Sequence, residues 1–481
     1  ENCDRPLRRL EEPQWASLGG AMGHSSSKHD GKKGHQHHHH HSQEQQHGAS
    51  GAGRQAAAAA AAAIRLHPLL TDAEVSILEQ THAKSAADER GAQLALCEAL
   101  GLPERATAAA FTALGGAADG SLDKRAFLDA VALLIRGTTA DMRGQLFKGG
   151  VPGAFELAFF AANGDAKADF DAGPLVKGFE EFAQRYAEAN SCEATLDVEM
   201  FRRWCTADVP SLHEPVLDFV SHKLLNTPTR AGALAGRVSA ASKEKLAESE
   251  VLTPGAVFAL SCCDARCQGG WDRLFSSNKD GMSFDAMAKS LIGYEGPTVV
   301  VVQDADGNVF GALVSETWRE CGVFYGQPNS VLFSIKPSFS LRRCRTDGTS
   351  AGTDHFQYLK IRGRQGHQGI GFGGDEYTLR LFLDRNFEEC RAAKFDLTYD
   401  EGPIRPADQP AIFKPNIIEC WGLGGEEAAQ AQVLEHADIE RMQLNRRKVD
   451  KKKFVENEFD RQFLLGGTYA HQQQVDDRGG Q

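Results

Sequence analysis

Apolar and β-branched positions gather into short runs between residues 298 and 421. Thr298 leads into Val299, Val300, Val301 and Val302; the polar stretch Asp304-Ala305-Asp306-Gly307-Asn308 follows, and then Val309-Phe310-Gly311-Ala312-Leu313-Val314. A β-branched run, an Asp-Gly turn and a second apolar run predict a hairpin, and the unbroken apolarity places both strands inside a sheet. Further strands are expected at 331–335, stopped by Pro337, at 356–361, at 377–383 and at 417–421. In the third of these, Tyr377, Leu379, Leu381 and Leu383 alternate with Thr378, Arg380, Phe382 and Asp384, the period of two that a strand requires. Ahead of the hairpin, Phe284, Met287, Ala288 and Leu291 repeat at helical spacing between Ser283, an N-cap residue, and Gly293 just past the end. Strands adjacent in sequence with few helices between them predict an antiparallel β-sandwich with short helices at its margins.

On either side the period changes. Leu70, Val75, Leu78, Leu94, Leu96 and Leu100, then Phe127, Val131 and Leu134, are spaced for amphipathic helices through 64–225. Two segments there have the outline of EF-hand loops. Around Asp119-Gly120-Ser121-Leu122, the first, third and last ligand positions fall on Gly115, Ala117 and Ala126. Around Asn163-Gly164-Asp165, Ala161, Ala166 and Ala172 stand where the first ligand, the turn glycine and the bidentate Glu belong. Calcium affinity depends on carboxylate count and on that Glu, so both are expected to be structural remnants. Residues 201–220, with Phe201, Trp204 and Phe219, predict a helical connector, and the Ala, Gly, Ser and charge of 226–249 predict a linker. After Gly424-Gly425 the chain predicts one long charged helix whose Val433, Leu434, Ala437, Ile439, Met442 and Leu444 form no single stripe. Arg446, Arg447 and Lys448, with Lys451, Lys452 and Lys453, then precede an apolar patch at Phe459, Phe463, Leu464 and Leu465. A helix with so little packing surface needs a seat, either on its own domain or on another molecule. The organisation expected is a low-complexity tail over 1–63, a helical region over 64–225, a linker over 226–249, the sandwich over 250–424, and a terminal helix and tail over 425–481, an α+β chain.

Composition narrows the function. The formal charge of -12 over 481 residues argues against a nucleic-acid binder, which needs concentrated Lys and Arg. Eleven irregularly scattered cysteines favour reduced thiols over a disulfide framework. Residues 1–63 carry Ser25-Ser26-Ser27, a histidine run from His37 to His41 and an alanine run, a composition expected to be disordered; the histidines have no ligand spacing. Within it, Met22-Gly23-His24-Ser25-Ser26-Ser27-Lys28 fits the myristoylation pattern if Met22 initiates, with Gly23 as the acylated residue and a chance match in a serine-rich tail as the alternative. One acyl chain binds membranes only marginally, and Lys28, Lys32 and Lys33 supply a modest second signal.

Motifs for catalysis lack their contexts. Gly369-Ile370-Gly371-Phe372-Gly373-Gly374 has the spacing of a dinucleotide fingerprint, but a strand rather than a helix is expected after it. Gly348-Thr349-Ser350-Ala351-Gly352 with His355 resembles a nucleophile elbow, yet Arg342-Arg343-Cys344-Arg345 before it does not read as the buried strand an elbow needs. Cys262, Cys263 and Cys267 cluster without a second ligand pair for zinc; Arg266 could activate a thiol, while buried structural thiols are the alternative.

Seven motifs in order resemble the TLDc family: Trp-x-x-Leu-Phe-Ser-Ser at 271–277, Asp-Gly-x-Ser-Phe at 280–284, Pro-Thr and its apolar run at 297–302, Val-Phe-Gly-Ala at 309–312, Leu-Phe-Ser-Ile-x-Pro at 332–337, the glycine motif at 369–374 and Ile-Glu-x-Trp-Gly at 418–422. The resemblance implies a β-sandwich flanked by helices, no established catalytic centre and no cofactor. It places Trp271, Phe275, Phe284, Phe310 and Phe333 in the core. It implies partner binding through Gly371, Gly373, Gly374, Glu419 and Trp421, with Arg446, Arg447 and Lys448 of the terminal helix. An EF-hand-like region joined to such a domain implies a non-enzymatic regulator at the cytosolic face of lysosomal or vacuolar membranes. Its implied partners are peripheral subunits of the V-ATPase, components of the mTOR complex and, through the lipid, the membrane surface; protection against oxidative stress is a further implied association. A structural protein of a larger assembly, such as a cytoskeletal one, is the alternative.

Overall fold

The computed structural model describes residues 66–164, 170–227, 238–345, 355–363, 366–375 and 379–448. The helical region begins with α1 (Asp72–Ala86), α2 (Ala92–Leu100) and α3 (Glu104–Ala113), followed by α4 (Lys124–Arg136), α5 (Thr139–Phe147) and α6 (Val151–Asn163). It ends with α7 (Gly173–Asn190), α8 (Val198–Ala207) and α9 (Glu214–Leu225). Local chemistry sets the starts: Thr71 and Glu74 form a reciprocal capping box on α1, Thr138 and Asp141 form another on α5, and Asp123 accepts from the Ala126 amide to cap α4. Aromatic packing sets the interior, with Phe155 edge-on to Trp204 at 5.4 Å and Phe179 at 5.6 Å from the same indole.

A short helix, α10 (Ala240–Leu246), and the apolar α11 (Pro254–Cys263) lead into the sandwich. One sheet has the order β1-β12-β2-β3-β5-β6, from β1 (Asp272–Ser276), β12 (Pro415–Gly422), β2 (Thr298–Asp304), β3 (Val309–Val314), β5 (Val331–Lys336) and β6 (Ser340–Arg343). The other has the order β11-β10-β9-β8-β7-β4, from β11 (Ile412–Phe413), β10 (Cys390–Ala392), β9 (Leu379–Asp384), β8 (Gly369–Gly374), β7 (Gln357–Lys360) and β4 (Cys321–Tyr325). Every pairing between these strands is antiparallel. At the margins lie α12 (Ser277–Asp280) and α13 (Phe284–Leu291), and α14 (Gly425–Lys448) leaves the end of β12.

The valine run has a physical explanation in this layering. Successive side chains of a strand point to opposite faces. Val300, Val302, Phe310, Ala312 and Leu332 pack with Ile370, Phe372, Leu381 and Leu383 of the second sheet. Val299, Val301, Leu313, Phe333 and Trp421 instead join the core of the helical region. The first sheet is therefore covered on both faces, helices on one side and the second sheet on the other. This is why its central strands carry no polar alternation.

The structure departs from the sequence reading in three places. Residues 238–249 are not a free linker: Val238 pairs with Gly269, Ser242 Oγ accepts from the Trp271 amide at 2.7 Å, and Leu246 is buried in the shared core. The stretch from Arg342 to Arg345, which does not read as a buried strand, begins in one: Ser340–Arg343 is strand β6 and Arg342 is 4% exposed. Its guanidinium reaches the carbonyls of Leu341 at 2.6 Å and Pro403 at 3.1 Å, so hydrogen bonds replace hydration. The glycine motif is itself a strand, β8, paired on both sides.

Candidate functional site

The motif residues assigned to partner binding turn inward. Glu419 is 1% exposed and Trp421 is fully buried. The Glu419 carboxylate accepts from Ser249 Oγ at 2.5 Å, from the Glu250 amide at 2.9 Å and from Trp421 Nε1 at 2.9 Å. Its role is to fasten the segment entering the sandwich onto the β12 strand. Gly371, Gly373 and Gly374 are buried in β8. Gly373 has φ +70°, and a Cβ there would lie 2.5 Å from the Asp396 carboxylate and 2.7 Å from the Tyr399 ring. These glycines permit close packing rather than contact with a partner. Trp271, Phe275, Phe284, Phe310 and Phe333 are each 3% exposed or less.

Among the described residues, no set of three or more His, Cys, Asp or Glu could hold a metal ion. Cys205, Cys263, Cys267 and Cys420 are buried, and burial holds each thiol well above its ordinary value. Arg266, the cation beside the cysteine cluster, is taken by Asp264 at 2.7 and 2.9 Å and by the Asn329 carbonyl at 2.6 Å. In the first EF-hand-like loop, the Asp119 carboxylate accepts from the Ser121 amide and hydroxyl at 2.9 and 2.6 Å, so the loop closes on itself. Ser350 with its flanking glycines, Gly23 with the histidine run, Tyr377 and the segment past Lys448 lie outside the described residues.

One surface open to contact is α14. It starts at Gly424-Gly425, where the Gly424 amide donates to the Tyr294 hydroxyl at 2.7 Å. A Cβ on Gly424 would lie 2.5 Å from Ala428 Cβ, so only glycine lets the helix turn this sharply off the sheet. Gln432 Nε2 donates to the Ser290 carbonyl at 2.6 Å, and His436 Nε2 bonds to the Ile292 carbonyl at 3.0 Å. These contacts cap the open carbonyls at the end of α13. Beyond them Val433, Leu434, Met442 and Leu444 are between 52% and 69% exposed. They were legible in sequence as apolar residues without a stripe; that they stay uncovered was not. Arg446, Arg447 and Lys448 belong to the same helix.

The sequence model of the TLDc domain family matches residues 246–424. Among curated relatives, the MTOR-associated protein MEAK7 of Danio rerio is 32% identical over 177 residues, 35% of this chain and 37% of the relative. Its Homo sapiens counterpart is 31% identical over 163 residues, 33% of this chain and 34% of the relative. Oxidation resistance protein 1 of Xenopus tropicalis is 28% identical over 124 residues, 26% of this chain and 14% of the relative. The chain thus spans about a third of the length of the MEAK7 relatives. The sandwich, its glycine strand and the buried Glu419 all lie within residues 246–424, and those residues are a TLDc domain.

Proposed function

We propose that this chain is a non-enzymatic adaptor that binds peripheral subunits of the V-ATPase at the cytosolic face of lysosomal or vacuolar membranes, with links to mTOR signalling and to oxidative-stress protection. The observation that carries the proposal is α14, a helix bonded to the domain at Gln432 and His436 and presenting Val433, Leu434, Met442 and Leu444 to solvent. Exposed apolar side chains on a charged helix that leaves a folded domain give a larger assembly anchors to bind. Thiols held protonated by burial also suit a binding role better than a nucleophilic one. Relatives named as mTOR-associated and as oxidation-resistance proteins support the signalling and stress links.

The test is affinity purification of the full chain, and of the chain ending at Gly425, from cytosol and membranes. Recovery of V-ATPase subunits that falls with the truncation supports the proposal. Recovery of cytoskeletal proteins, equal with and without α14, would overturn it. The membrane attachment has its own test, since Gly23→Ala shifts the protein from the membrane to the soluble fraction if Gly23 is acylated.

A further inference from the structure

A cavity of about 470 Å3 opens where α6, α10 and α11 meet. Its walls are apolar: Ala162 at the end of α6, Val238, Leu246, Leu252, Val257 and Phe258. A half-open pocket of this size is in the range that accommodates small organic ligands.

The polar groups at its edge are nearly all engaged. Ser249 Oγ donates to Glu419, Ser261 Oγ to the Phe258 carbonyl, and Asn163 Nδ2 to the Phe159 carbonyl. Thr253 Oγ1 accepts from the Ala256 amide, and the Glu250 carboxylate accepts from Asn278 Nδ2 at 2.7 Å. Lys243, half-buried on α10, also lines the cavity, and its ammonium has no partner among the described residues. An apolar chamber with one unpaired cation at its rim matches a ligand with an apolar body and an anionic head. The Glu250 carboxylate at the same rim disfavours a second negative charge on that head.

We propose that this cavity binds an amphipathic monoanion, a medium-chain carboxylate whose alkyl body fills the chamber and whose head meets Lys243. Occupied, the site joins α6 of the helical region to α10 and α11, so the ligand stabilises the layered arrangement by mass action.

Titration calorimetry of the full chain with decanoate, decanol and decylamine, each below its aggregation concentration, tests this. Decanoate is expected to bind most tightly and decylamine least. Lys243→Gln should weaken decanoate about fivefold, the scale of a partly exposed ion pair, while leaving decanol unchanged. Val257→Trp should fill the chamber and abolish binding of both. Decanoate binding that Lys243→Gln leaves intact, equal binding of all three amphiphiles, or no binding at all would each overturn the proposal. Lys243 lies on the surface of α10, so its variant reports even if the Val257 variant does not fold.

Discussion

At the scale of single residues, the interior uses charged groups as fasteners, and two of them make opposite predictions. Asp208 ends α8, is 5% exposed, and has one carboxylate oxygen without a hydrogen bond. Burial pushes its carboxyl up to about 6, against the pull of Arg342, Arg185 and Arg343. A carboxyl raised above its unfolded value contributes stability that is complete at low pH and lost as pH rises through the folded value. From about pH 3 to about pH 7 this one group should therefore withdraw roughly 3 kcal/mol. Asp208→Asn cannot ionise, so denaturant unfolding at a series of pH values should give a flatter profile for the variant and greater stability than wild type at neutral pH. A profile parallel to wild type would contradict the assignment. Glu419 acts instead through the hydrogen bonds it accepts. Glu419→Ala strands Trp421 Nε1, the Glu250 amide and Ser249 Oγ inside the fold, at a cost of about 2–4 kcal/mol. Glu419→Gln keeps an acceptor oxygen and should lose roughly half as much, read as the difference in melting temperature. Neither role was visible in sequence, because a carboxylate inside a strand motif reads as a surface or functional group until its donors are seen.

At the scale of elements, strands with an apolar run or a period of two were legible, β2, β3, β5, β7, β9 and β12 among them, and β6 and β8 were not. β6 hides its pairing behind Arg342 and Arg343, whose guanidinium groups each donate to a carbonyl distant in sequence, Pro403 and Ala207. β8 hides behind glycine, since no side-chain pattern announces a strand whose small residues make room for Phe382 and Tyr399. The terminal helix was legible as a helix, and its seat was not, because Gln432 and His436 bond backbone carbonyls of α13 rather than side chains. α14 also separates binding from folding. Val433 and Leu434 are 68% and 69% exposed, so replacing both with Lys should change stability by less than about 0.5 kcal/mol. The same pair should reduce recovery of partner proteins as strongly as truncation at Gly425, measured by quantitative mass spectrometry. Undiminished recovery would move the contact off this face of the helix.

At the scale of the whole molecule, the linker-like composition of 226–249 predicted two bodies, while the described residues share cores that cross that position. Trp204, Phe179 and Phe201 of the helical region belong to the same apolar cluster as Val299, Phe333 and Trp421 of the first sheet. Polar contacts reinforce it: the Phe339 amide donates to the Pro174 carbonyl at 2.8 Å, Ser338 Oγ to Glu181 at 2.7 Å, and Arg343 Nε to the Ala207 carbonyl at 3.3 Å. Sequence cannot reveal such a junction, because each half carries an apolar face that looks complete on its own until the second face of the valine strands is counted. Gly178 of α7 sits at the closest approach, where a Cβ would lie 2.1 Å from the Phe339 carbonyl oxygen. The obstacle is backbone, so neither side can move aside cheaply, and Gly178→Ala should cost about 1–3 kcal/mol by prising α7 from the β5–β6 turn. If helices and sandwich unfold as one body, far-UV circular dichroism and tryptophan fluorescence of the variant should fall together at a lower midpoint, and the helical region should gain no independent transition. If they are two bodies in contact, the sandwich signal from Trp271, Trp318 and Trp421, read in a Trp204→Phe background, should keep its midpoint while the helical signal moves. Only the first outcome is compatible with a first sheet that needs cover on both faces, since lifting the helices would expose Val299, Val301 and Leu313 to water.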